Sequence, residues 1–99
     1  MNDLTFEGIV SDVKRDEYEN RYHEADERVC FIVTEDEGLH QFRQSHYFEM
    51  YGSYAKRYGD RVEEGARVRV SFAFNGTNVS QAGRIFNREG VWCVERMDN

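Results

Sequence analysis

From Val68 to Phe74 the chain alternates without a break. Val68, Val70, Phe72 and Phe74 share one parity, and Arg67, Arg69, Ser71 and Ala73 share the other. A period of two places successive side chains on opposite faces, so this stretch reads as a half-buried strand and not as a helix. Asn75-Gly76 follows as a turn signal. A chain with this segment must bury one face of a sheet. What remains open is the task of the outward row that carries Arg67 and Arg69.

The other segments extend that constraint. In "DLTFEGIVSDV" (3–13), Leu4, Phe6, Gly8 and Val10 share one parity. Gly8 inside a strand marks a bulge or a tight bend, as at a barrel corner. "VCFIVT" (29–34) is apolar on both faces, which predicts a central strand. "LHQFRQS" (39–45) reads as a third strand with Phe42 inward and Gln41, Arg43 and Ser45 outward. Tyr47, Tyr51, Tyr54, Tyr58 and Val62 are spaced by four, three, four and four, the pattern of a helix near 46–58 that ends at Gly59. Its tyrosine stripe is expected to pack as core or as a plug. The fourth strand is the alternating stretch itself. Residues 79–86 are weakly extended, "NREG" (87–90) reads as a turn, and "VWCVERM" (91–97) is the last strand. Residues 14–28, nearly all polar, fit a short helix or an exposed hairpin arm.

The resulting order is β-β-β-α-β-β. This is an all-β class with one helix, and its layout is that of the five-stranded OB-fold barrel. An SH3-like barrel and a generic α+β sheet are the alternatives. The chain has 99 residues, no proline, no linker and no repeat, so one domain over 1–99 is expected. No apolar run approaches a membrane span. The start "MNDLTFEG" has no basic or apolar signal region, which points to a cytoplasmic protein, phage or bacterial. Cys30 and Cys93 lie far apart inside strand-like runs, so both are expected as free, buried thiols and no zinc site is expected.

Charge is uneven. Residues 1–40 carry four basic and twelve acidic residues, a net of −8, whereas residues 41–99 carry nine basic and seven acidic, a net of +2. The overall charge of −6 therefore does not describe the whole surface, and it does not exclude a nucleic-acid partner.

From residue 47 to 74 the chain, with the matching text "YGSYAKRYGDRVEEGARVRVSF" (51–72), resembles the helix-to-fourth-strand region of bacterial and phage single-stranded DNA-binding proteins. Tyr54, the Ala55-Lys56 step, Gly65, and Val68 with Val70 carry the likeness. "AGRIFN" (82–87) with Trp92 is similar to small uncharacterised relatives of that family. The resemblance implies a non-enzymatic OB-fold protein for single-stranded DNA or RNA that commonly works as a homo-oligomer. The family commonly carries an acidic-tipped tail that recruits partner enzymes; with "ERMDN" directly after the last strand, that role is not expected here. Its several tryptophans reduce here to Trp92.

A single-strand binder of this kind needs cations along the backbone and flat rings for bases. The first connection offers Lys14, Arg15, Tyr18, Arg21 and Tyr22, the third strand Arg43, and the last connection Arg84, Phe86 and Arg88. Arg67 and Arg69 on the fourth strand rank behind these. Trp92 is a further ring, although its apolar flanks also suit a core position. No Ser, Cys or His constellation, phosphate loop or metal spacing appears, so no enzyme, cofactor or small-molecule substrate is expected. The alternative function is an acidic protein-interaction module on the same fold, imitating nucleic acid toward a basic partner.

Overall fold

The computed structural model describes residues 2–36, 43–79, 82–83 and 85–97, with the side chains of 2, 75–79 and 85–89 excepted. The elements are β1 (Asn2–Glu19), β2 (Ala25–Thr34), β3 (Ser45–Tyr51), α1 (Gly52–Tyr58), a 3-10 turn (Gly59–Arg61), β4 (Arg67–Val79) and β5 (Ile85–Arg96). The strands form one antiparallel sheet in the order β3-β2-β1-β4-β5. The all-β class with one helix is therefore as expected. No ladder joins β3 to β5 among the described residues, so the sheet is not closed.

β1 serves both halves of the sheet. Residues 2–9 pair with β4, residues 9–19 pair with β2, and Ile9 has a partner on each side, Arg67 and Thr34. The chain bends at this changeover. Asp12 has φ +53, and the register shifts between Ser11 and Lys14, which is a bulge. The Val13 N–H lies at this irregularity, and it donates to Glu64 Oε1 at 2.7 Å. Gly8 answers to a different need. A Cβ there would lie 2.1 Å from the Thr34 carbonyl oxygen. The glycine permits close backbone approach, and the bulge sits four residues further on.

The curl is strong enough that β3 touches β4 across the interior. The Phe48 ring lies 5.1 Å from Phe72, 5.6 Å from Phe31 and 6.2 Å from Phe6. His46 stacks on Phe48 at 4.2 Å and contacts Phe72 at 5.3 Å. Val10, Val33, Met50, Val68, Val70 and Val94 complete a buried cluster. Ala55, Gly59 and Val62 are buried where α1 and its 3-10 turn meet this cluster.

Several expectations change. The third strand lies at Ser45–Tyr51 and not at 39–45, and Gln41 and Phe42 fall outside the described residues. The helix is correspondingly shorter. A spacing of four satisfies a helix and, being even, also a strand; "HYFEMY" alternates, with Phe48 and Met50 buried and Tyr47 and Tyr51 exposed. The tyrosine stripe is thus not a plug: Tyr54 is also exposed, and only Tyr58 packs on the core. Asn75-Gly76 lies inside β4 at a register shift between Phe74 and Thr77, and "NREG" is paired strand. The chain turns instead around Ala82 and Gly83, where Gly83 has φ +79. The polar stretch 14–28 takes its hairpin alternative, closed by a turn at residues 20–24. Both thiols are free; Cys30 is buried and Cys93 half-buried.

Gly8→Ala should cost about 1–3 kcal/mol, because its methyl meets backbone that cannot swing aside. The melting temperature should fall by about 4–8 °C per kcal/mol in a domain of this size. Gly65 has φ +82 with open space around it, so alanine there meets only backbone strain. A larger loss at Gly65 than at Gly8 in thermal circular dichroism would show that the close approach is not limiting.

Candidate nucleic-acid interface

The ladders fix which side chains share the outer face of β1–β2–β3. Val10, Val29, Phe31, Val33, Phe48 and Met50 point inward. Their strand neighbours therefore point outward. Across the face run the rows Ser11–Ile32–Tyr47, Lys14–Cys30–Glu49 and Asp16–Arg28–Tyr51, with Tyr18 opposite Asp26 beyond them. Tyr47 is 55% exposed and Tyr51 40%. Four residues apart on one strand, they stand about 13 Å from each other. Tyr18 meets Tyr51 edge to face with centroids 5.0 Å apart. Three phenol rings thus occupy one face.

The charges on this face are mostly paired. Arg28 Nε donates to Asp16 Oδ1 at 2.8 Å, and its Nη2 bonds Oδ2. That fork holds the Asp16 carboxyl below its ordinary range and keeps Arg28 charged. Lys56 of α1 lies 3.4 Å from Asp26. The Tyr51 hydroxyl donates to Glu49 Oε2 at 3.0 Å. Burial, then Glu49, push its ionisation up, and the Cys30 thiol does the same to Tyr47. Both phenols therefore stay neutral donors.

Lys14 is exposed in the middle row, and Arg43 is exposed just before β3. Arg21 lies over the Tyr22 ring at 5.1 Å, both at the hairpin tip beyond the last cross-strand pair. Arg15 belongs to the inner side: its Nη2 donates to the Val62 carbonyl at 2.5 Å, tying the arm to the segment after α1. Arg67 and Arg69 lie on the outer face of β4, and each meets an acid. Arg69 Nε donates to Glu7 Oε1 at 2.6 Å, and Arg67 Nε lies 3.0 Å from Asp36 Oδ2. Arg67 also continues the row Ser45–Thr34–Ile9. Trp92 is the extra residue of a bulge in β5 and is 43% exposed, so it is not a core residue. A bulge re-aims a side chain out of the alternation, which overrides the apolar flanks. Arg84 and the side chains of Phe86 and Arg88 lie outside the described residues.

The outer face thus unites Lys14 and Tyr18 from the candidates with Tyr47, Tyr51, Arg28 and Glu49, which the sequence reading passed over. The missed signal was the strict alternation of "HYFEMY". Among the described residues, no group of His, Cys, Asp or Glu is arranged to hold a metal, and no helix is long and apolar enough to cross a membrane. The chain matches no protein-family model and no curated protein sequence.

The Asp16–Arg28 fork has a measurable signature. Because the native carboxyl is depressed, its stabilising effect is present above the ordinary aspartate pKa and is lost as pH falls through the native value. In a carbon-13 titration the Asp16 midpoint should lie below that of an unstructured aspartate. Arg28→Ala should move it upward; an unchanged midpoint would show that the fork does not persist in solution.

Proposed function

We propose that this protein binds single-stranded nucleic acid, DNA or RNA, on the outer face of β1–β2–β3, as an OB-type barrel left open between β3 and β5. The observation that carries this reading is the pair of exposed rings Tyr47 and Tyr51 on one sheet face, with the half-buried Tyr18 edge-on to Tyr51. Exposed rings on a sheet are stacking platforms for unpaired bases. A five-stranded, partly open Greek-key barrel is the architecture that offers such a face on its second and third strands. The central, shared β1 and the strand order support the barrel reading.

Stacking supplies most of the affinity here. Lys14 and Arg43 are the cations on or beside the face whose charge no described ion pair offsets, whereas Arg28, Arg67 and Arg69 each meet a carboxylate. With two phosphate contacts the slope of log affinity against log salt is about −1.4 on a single strand.

A second reading rests on the β1–β2 arm, where Glu17 stands directly opposite Glu27. Like charges in register oppose pairing, and a basic protein seated on the arm would relieve that repulsion.

Binding of labelled oligo-dT and of a mixed-sequence single strand, followed over a salt series, separates the two. Tyr47→Ala and Tyr51→Ala should each cost about 1–3 kcal/mol with the salt slope unchanged. Lys14→Ala should flatten the slope by about 0.7. Arg69→Ala should change neither. Failure of both strands to bind at low salt would reject the nucleic-acid reading in favour of the acidic module.

A further inference from the structure

Glu49 is at odds with a surface built only to attract phosphate. It lies in the middle row of the outer face, on the edge strand β3 between Tyr47 and Tyr51. Four other acids at the sheet surface answer to a cation: Glu7 to Arg69, Asp16 to Arg28, Asp26 to Lys56 and Asp36 to Arg67. Glu49 meets neutral donors instead. The Tyr51 hydroxyl lies 3.0 Å from Oε2, and the Cys30 thiol lies 3.8 Å from the same oxygen. Its row runs Lys14–Cys30–Glu49 across three strands. A cation on β1 and an anion on β3 therefore stand two strand spacings apart, roughly 9.5 Å.

That polarity gives the two sides of the face different tasks. Lys14 suits a phosphate. A carboxylate repels one, but it accepts hydrogen bonds at about four lone-pair sites and donates none. Both bonds fall on Oε2, so Oε1 is the oxygen open to a base seated on either tyrosine, and the long, weak thiol contact on Oε2 is the one a second base donor displaces. Base edges differ in what they offer it. Guanine presents N1–H and N2–H side by side, which match the two oxygens of a carboxylate. Cytosine and adenine offer one amino group beside an acceptor nitrogen. Thymine and uracil offer one N–H between two carbonyl oxygens, which a carboxylate repels.

We propose that Glu49 is a specificity-determining residue that reads base edges, so that this face prefers guanine-containing single strands to thymine homopolymer. The inference rests on the nucleic-acid reading above and extends it from any single strand to a class of sequence. The test compares labelled oligo-dT, a TTG repeat of equal length, and the same repeat with inosine for guanine. Isolated guanines avoid quartet formation, and inosine keeps N1–H while losing the amino group. The wild type should bind the TTG repeat about tenfold more tightly than oligo-dT, the scale of a good bidentate base contact, with the inosine strand in between. Glu49→Gln retains an acceptor for Tyr51 but sets an amide donor against guanine, and it should abolish the ratio. Its melting curve reports whether the fold is kept, and Glu49→Ala should lose the ratio as well.

Equal wild-type affinities for the three strands would overturn the proposal and leave the nucleic-acid reading standing. So would a ratio that survives in Glu49→Gln. If the wild type shows no ratio and Glu49→Gln merely tightens every strand alike, Glu49 is only a repulsive charge. If no strand binds the wild type at low salt, both readings fall.

Discussion

The approach of Gly8 to the Thr34 carbonyl is the contact on which the rest of the molecule depends. One strand, β1, hydrogen-bonds to β4 with its first half and to β2 with its second. The changeover requires two partners to converge on Ile9, and a side chain one residue earlier would hold β2 away. From that point the bulge at Asp12 turns the chain, and the sheet curls until Phe48 of β3 meets Phe72 of β4. The inward row of β1–β2–β3 is then enclosed, and the outward row stays at the surface. The tyrosine face is the reverse side of the core.

Arg67 and Arg69 are part of the same economy of charge. Each stands across from β1 or beside the end of β2, and each meets an acid there. All four side chains are half-buried, so the attraction within each pair is offset by the cost of desolvating it. The effect of the pairs is to offset the charge of Arg67 and Arg69, whereas no described ion pair offsets Lys14 or Arg43. The asymmetry in the sequence between an acidic first part and a basic second part does not survive folding as two separate faces, because the ladders interleave the two.

The strands of this fold were legible where period and composition agreed. β4 around Val68–Phe72, β2 around Phe31 and the end of β5 at Val94 all follow from apolar alternation or runs. Gly8 was legible as a special position, though it serves close approach and the bend falls elsewhere. What misled was ambiguity in spacing. Tyr47 and Tyr51 fit a helix face as well as a strand face, and the decision between them lies in the pairing of Phe48 with Phe31 and Met50 with Val29, which no local pattern contains. Asn75-Gly76 misled for a related reason: a dipeptide that suits a turn also suits a bulge, and continued pairing with β5 selects the bulge. Trp92 was hidden by its neighbours, since a one-residue insertion in the ladder reverses which side a residue meets. The candidate face was correspondingly half legible, in Tyr18 and Lys14, and half dependent on register.

The sharing of β1 between two ladders also sets an order of events. β1, β2 and β3 follow one another in a meander, so their pairing closes short loops. The β1–β4 ladder joins residues such as Glu7 and Arg69, 62 positions apart. Loop closure over that length is entropically costly and slow compared with hairpin formation. The meander that carries Tyr18, Tyr47 and Tyr51 is therefore assembled first, while the inward Phe48 and Met50 still await β4. During synthesis, the rows of the proposed binding face take shape before the wall behind them exists, and the late arrival of Val68, Val70 and Phe72 is the step that commits the chain.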